Sequence, residues 1–453
     1  MTLARPRWSA RSVARSEPLT GRGWGLYALM ALALSPVVRP IGPGQTAIVD
    51  FLNAGAIVCF AAIVLVHRVP IRFPFFMPIL FISVGSLIAM TNAVSIGNAV
   101  LAIFQDAYLY LWFVMMVEIL RRRPGDQRDL RMAWIGVADV IAVVCIFQAI
   151  GFHQGFPRTL LSPQGSRTFG LLYNPNMCAD FLALSAFELL GLRRQAPRWF
   201  LWPSALLWTV AFLSTKSNGG LVALATGLVV WGLVRARYAG AQAVYRLAGA
   251  AAIGAAVVLA LWWSSAGFGV GGKLFEGLSH QSYLARMSHS GEERGAIWQR
   301  LEESFKKTPL GIGPANSTMQ PLDVSQQERA GVFMSKESHS DYLGYAIERG
   351  PIAFLGLLAF TWMAIAHVLR GRRALEQRTG SVVVAGIMLA ALTGGLVGSS
   401  VHSLVIEKLH FRHFWAYLAV IVALTTPTDS ESQEAEPKVE EEEPACASST
   451  SSI

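Results

Sequence analysis

Long apolar runs alternate with short polar or basic stretches along almost the whole chain. The runs lie near 24–38, 47–66, 74–92, 98–119, 132–151, 177–192, 199–214, 219–234, 247–266, 352–369, 381–400 and 409–426. An α-helix needs roughly 20 mostly apolar residues to cross about 30 Å of hydrocarbon, and most of these runs approach that length. With lipid as solvent, a helix satisfies its backbone groups internally. The pattern therefore predicts an all-α polytopic membrane protein of about twelve transmembrane helices.

Charge adds an orientation. Arg5, Arg7, Arg11, Arg15 and Arg22 precede the first run, and no signal-peptide cleavage pattern follows them. Every second loop after that is basic: His67-Arg68 to Arg72, Arg121 to Arg131, Arg193 to Arg198, Arg235 to Arg246, and Arg370 to Arg378. The opposite short loops hold few basic residues: Arg39, Arg158, Arg167, Lys216 and Lys408, with Arg412 near the boundary. The positive-inside bias places both termini in the cytoplasm. The expected organisation is a cytoplasmic segment over 1–23, nine helices over 24–266, a large partly helical non-cytoplasmic loop over 267–350, three helices over 351–426, and a tail over 427–453. That tail is acidic and serine-rich, which predicts a disordered cytoplasmic segment.

Composition agrees, with 53% hydrophobic and only 15% charged residues. The formal net charge is +9, although the tail sets eight acids against Lys438. The basic excess therefore sits in the short loops, where it reports topology and not a nucleic-acid partner. Cys59, Cys145, Cys178 and Cys446 show no CxxC spacing, so neither a zinc site nor a disulfide framework is indicated.

Candidate chemistry gathers in four segments on the non-cytoplasmic side. Arg158 and then Arg167-Thr-Phe-Gly-Leu-Leu-Tyr-Asn-Pro-Asn176 combine guanidiniums with a turn, and Asn176 is placed to cap the next helix. A guanidinium grips phosphate with two parallel hydrogen bonds, or it simply meets lipid headgroups. Lys216-Ser-Asn-Gly-Gly220 is a tight turn, for which an interfacial lysine is the plainer reading. Ser290-Gly-Glu-Glu293 has capping-box spacing, and Ile297, Leu301 and Phe305 recur every four residues behind it. Arg294 falls in the first turn of that helix, where a cation opposes the dipole and a bound phosphate relieves the conflict, or where it is simply a solvated surface arginine.

The fourth segment runs from Ser338-His339-Ser340-Asp341 to Glu348-Arg349-Gly350-Pro351. Ser338 and Asp341 have capping spacing, Leu343 and Ile347 give the helix an apolar face, and Gly350-Pro351 ends it and opens the next. His339 is then expected in the first helical turn. The positive helix end keeps its imidazole neutral and able to accept a proton. A histidine packed at the membrane edge is the competing reading. Six acids inside the runs, Asp50, Asp106, Glu118, Asp139, Asp180 and Glu188, form either a proton path or structural pairs.

Taken in order, the four segments resemble the O-antigen ligase and polymerase superfamily of bacterial envelopes. Arg167, Gly170, Asn174, Pro175 and Asn176 match its first motif. Arg294, Trp298 and Pro309 to Gly313 match its third, and His339, Ser340, Leu343, Glu348 and Gly350 its last. The second motif departs, because Asn218 stands where the family has arginine, with Lys216 two residues earlier. The resemblance implies a GT-C-like enzyme of the Gram-negative inner membrane with a periplasmic site. It implies glycan transfer from an undecaprenyl-diphosphate carrier to a sugar hydroxyl of lipid A–core, without metal or other cofactor. His339 is then the base, Arg158, Arg167, Lys216 and Arg294 bind the diphosphate, and Asn176, Ser338 and Asp341 support them. The single dominant loop and short tail lean towards the ligase branch over the polymerase. A secondary transporter is the alternative from another class. Paired broken helices would favour it, and no internal repeat is evident.

Overall fold

Helix is the dominant conformation of the computed structural model, which describes residues 18–38, 47–154, 167–239, 298–299, 301–317 and 339–427. Among these residues the chain runs α1 (Arg22–Leu34), α2 (Ile48–His67), α3 (Phe76–Met90), α4 (Ile96–Arg121), α5 (Gln127–Gln154), α6 (Pro175–Leu192), α7 (Arg198–Ser214) and α8 (Asn218–Ala239). It continues as α9 (Asp341–Glu348), α10 (Gly350–Arg370), α11 (Arg372–Thr379), α12 (Val382–His402) and α13 (Arg412–Thr425). Helices occupy each predicted apolar run except 247–266, which lies outside the described residues, as do the segments 1–17 and 428–453.

By length and composition, six candidate spans are long and apolar enough to cross a membrane: α2, α4, α5, α8, α10 and α12. The apolar helices α3 and α13 are shorter. The chain is thus a helical membrane protein.

Burial separates the helices. α12 is largely enclosed, packed on α8, α6 and α10, whereas α2 turns Phe51, Val58 and Leu65 outward. Exposed apolar side chains of that kind suit a hydrocarbon environment. The α8–α12 contact is very close, because Gly227 and Gly394 leave the backbones room to touch. A Cβ on Gly394 would lie 2.6 Å from the Gly227 carbonyl oxygen. Small residues are the usual means of such close approach in membranes, where dispersion contacts replace the hydrophobic drive. A second close approach sits at the start of α10, where Gly350 has φ +76° and a Cβ there would collide with Leu310 O. Glycine is what lets the 310–313 loop cross over the start of α10.

Candidate functional site

The first turn of α6 organises one side of the site. Asn174 has extended backbone, and its side chain accepts the Asn176 N–H at 2.8 Å. Pro175 then occupies the first helical position, where its missing N–H costs nothing. The cap is therefore Asn174 and not Asn176, which corrects the expectation from sequence. Asn176 does something else: its Oδ1 accepts Arg167 Nη2 at 2.7 Å and Ser217 Oγ at 2.9 Å. Arg167 also donates through Nε to Thr215 O at 3.0 Å. Thr168 anchors the same strand of chain to Ser214 through both backbone and hydroxyl. The first and second predicted segments thus form one cluster around Asn176. Lys216, 5% exposed and with φ +50°, sits in it at the entry to α8.

The last predicted segment is placed by the turn 402–409. Ser340 caps α9, accepting Leu343 N–H at 3.3 Å, and its hydroxyl reaches Ser403 O. The Asp341 N–H donates to Ser403 O at 2.9 Å. Asp341 Oδ1 accepts the N–H groups of Lys408 at 3.0 Å and Leu409 at 3.3 Å. Because Ser340 is the cap, His339 lies just outside the helix, partly buried and with φ +53°, and not within the first turn as expected. Burial pushes the Asp341 carboxyl up to about 6, against the lowering pull of Lys408 and the backbone N–H groups.

The same turn meets the Asn176 cluster. Gly219 lies so near His402 that an added Cβ would be 3.3 Å from its Nε2. His402 Nδ1 bonds Asp180 Oδ1 at 2.9 Å, His413 Nε2 bonds Asp180 Oδ2 at 3.1 Å, and Lys408 Nζ stands 3.6 Å from Asp180. Lys408 also donates to the carbonyl and hydroxyl of Ser399. Burial lowers the Lys408 pKa, and Asp180 and Asp341 oppose that shift. The N-termini of α8 and α9 therefore abut residues 402–409, and α6 reaches the same turn through Asp180 in its second turn. Sequence reading missed Lys408 and His402 as part of this assembly. The available signal was a lysine in one of the short loops that carry few basic residues.

The third segment enters through its C-terminal end. Residues 301–307 are helical, and buried Leu301 packs with Ile312 and Ile347, flanked by Phe305 and Leu343. The Glu348 carboxylate accepts the N–H groups of Ala315 at 2.9 Å and Ser317 at 3.1 Å, which pins the Pro309–Gly313 loop to α9. Arg349 is paired with Asp106 and bonds Ser86 at 2.9 Å. Arg158, Arg294 and Ser338 lie outside the described residues.

Four of the six non-glycine residues with positive φ among the described residues, Tyr173, Lys216, Ala315 and His339, fall in these outer loops. Backbone held in this region costs about 1–3 kcal/mol per residue and concentrates at functional sites. The six acids inside the helices are partnered. Asp50 pairs with Arg412, Asp106 with Arg349, Glu118 with Arg121 and Arg122, Glu188 with Arg131, and Asp180 with the cluster above. Asp139 accepts from Ser204 and Trp208. They read as structural pairs and not as a path. Among the described residues, no group of three or more His, Cys, Asp or Glu is placed to hold a metal ion.

Residues 202–358 match the family model described as O-Antigen ligase. The match supports membership of the O-antigen ligase and polymerase superfamily, and it spans the Lys216 turn, the 301–317 loop and the His339 segment. No curated protein matches the chain.

Proposed function

Taking the chain as a member of the O-antigen ligase and polymerase superfamily, we propose that it is the ligase. It moves O-antigen polysaccharide from undecaprenyl diphosphate to a sugar hydroxyl of lipid A–core, in the periplasmic leaflet of a Gram-negative inner membrane. The observation that carries this reading is the gathering of three helix N-termini with Arg167 and Lys216 among them: that of α6 joined to the start of α8 through Asn176 and Ser217, and those of α8 and α9 both set against residues 402–409. Helix N-termini favour anions, and a cation set beside one gains nothing in stability. A diphosphate resolves that conflict, since it accepts from both.

In the proposed step the acceptor oxygen attacks the anomeric carbon from the face opposite the diphosphate. The bond from that carbon to the phosphate oxygen breaks, its electron pair leaves with undecaprenyl diphosphate, and the configuration inverts. His339 takes the hydroxyl proton, typically worth 10²–10⁴-fold in rate. Arg158, Arg167, Lys216 and Arg294 stabilise the charge that grows on the leaving diphosphate, so the step runs without a metal. Asn176 holds Arg167 and the Lys216–Ser217 turn in one frame. Asp341 ties the entry to α9 to Lys408 and Leu409, and Ser338 is assigned a supporting role beside His339.

The test is complementation of a strain lacking the gene, read on a lipopolysaccharide gel. His339→Ala leaves bare core and polymer stranded on its carrier, with the protein still in the membrane at parental level. Full ladder with the variant would remove the base assignment. Core bearing a single repeat in the deletion strain would make the chain the polymerase instead.

A further inference from the structure

At the end of the bundle opposite the candidate site, the closing turns of α4, α10 and α13 and the connection before α3 enclose a cavity of about 370 Å³. That size falls within the range of small-ligand pockets. Arg72, Arg121, Arg370 and His367 supply its polar edge. One carboxylate, Glu118, also lines it, and is satisfied by Arg121 and Arg122 at 3.2 Å each and by the Arg72 N–H at 3.1 Å. The lining thus sets three guanidiniums against a single acid. Most of the remaining wall is apolar, with Phe73, Pro74, Phe75, Trp362, Met363 and Val422 its largest parts.

Trp362 is 72% and Met363 41% exposed, both on α10, one of the helices long and apolar enough to cross a membrane. The cavity therefore pairs a cationic edge at the helix ends with an apolar wall open to the surrounding hydrocarbon. We propose that it binds an anionic phospholipid, with the phosphodiester against Arg72 and Arg370 and an acyl chain along Phe73, Trp362 and Met363. A free anion would leave that apolar wall without a partner. An acidic peptide would need water where Trp362 and Met363 face outward. The wet edge and dry wall are arranged as an amphiphile is. The site is independent of the transfer chemistry and lies in the other leaflet.

The experiment titrates the purified full chain in detergent with phosphatidylglycerol, phosphatidylcholine or inorganic phosphate, and counts bound lipid by native mass spectrometry. Phosphatidylglycerol binds and phosphatidylcholine does not compete with it. Replacing both contacts, Arg72→Gln with Arg370→Gln, weakens phosphatidylglycerol roughly 30-fold, at about fivefold per arginine. Arg373→Gln, which is exposed and outside the cavity lining, leaves binding unchanged. If the double variant does not fold, Arg370→Gln alone at its exposed position gives the fivefold loss. Equal binding of phosphatidylcholine, undiminished binding by the arginine variants, or full displacement by inorganic phosphate would each overturn the proposal. So would lipid binding that appears only after residues 428–453 are removed, because the occupant would then be the chain's own acidic segment.

Discussion

Two arginines are held at opposite ends of α6, and the acceptors that hold them differ in kind. At the inner end Arg131 Nε meets the Glu188 carboxylate at 2.5 Å, both side chains almost fully buried. At the outer end Arg167 Nη2 meets the Asn176 amide oxygen at 2.7 Å. A carboxylate orients a guanidinium and cancels its charge, whereas an amide orients it and cancels nothing. The helix dipole sharpens the contrast. A cation is welcome at the C-terminal end of α6, where Arg131 sits, and opposed at the N-terminal end, where Arg167 sits. The Arg131–Glu188 contact is a buried ion pair at the C-terminal end of α6, and the Arg167–Asn176 contact sets a guanidinium at its N-terminal end, where the proposed diphosphate would meet it.

The largest expected effect comes from the inner end. Glu188→Ala leaves Arg131 charged and enclosed, and removing one partner of a buried pair costs about 3–5 kcal/mol. Thermal unfolding in detergent should show that loss, or the protein should fail to accumulate in the membrane. The pair Arg131→Met with Glu188→Leu removes both charges and should recover most of the loss. A Glu188→Ala protein as stable as its parent would dissolve the contrast, since the inner pair would then be no more structural than the outer one.

How much of this was legible in sequence follows the same division. The long helices were legible because each is an apolar run bounded by turn residues, and α10 begins at the Gly350-Pro351 that marked it, whereas the short polar α11 carries no such run. The α9 face was legible too, since Leu343 and Ile347 stand four apart and pack where that spacing puts them. The caps were misread by two residues. Asn174 and Asn176 are equally good caps by residue type, and only Pro175, best tolerated at the first helical position, decides between them. Ser338 and Ser340 posed the same ambiguity without a proline to break it. The long-range partners were not legible. Nothing near Asp180 announces His402 or His413, and nothing near Arg131 announces Glu188, because such pairs are set by how helices distant in sequence pack.

A middle-sized effect tests the outer end through pH. The Asp341 carboxyl is raised by burial to about 6. The folded chain therefore binds this proton more tightly than the unfolded chain. The stability it contributes is complete below the ordinary carboxylate pKa of about 4 and is lost as pH rises to about 6, by up to roughly 3 kcal/mol. Asp341→Asn keeps an acceptor for the Lys408 and Leu409 N–H groups but has no proton to lose. Unfolding midpoints measured from pH 4 to pH 7 should fall in the parent and stay flatter in the variant. Parallel curves would mean that Asp341 titrates as an exposed carboxylate does, and the account of its burial would be wrong.

The smallest effect on stability carries the sharpest statement about the site. Ser340 closes the first turn of α9 through Leu343 N–H and ties it to Ser403 O, with His339 immediately before it in left-handed backbone. Losing a serine cap costs about 1 kcal/mol. Ser340→Ala should therefore fold and insert almost normally. The proposed transfer step would ask more of this residue than stability does, because the cap fixes where the chain leaves the helix and His339 directly precedes it. Glycan transfer should fall by more than the small stability loss explains, and Ser340→Asp, which also caps, should restore it. If Ser340→Ala ligates at the parental rate, the position of His339 does not depend on the α9 cap. The proposed link from the α9 terminus to His339 as base would then have to be abandoned, although Arg167 and the α6 terminus would stand unaffected.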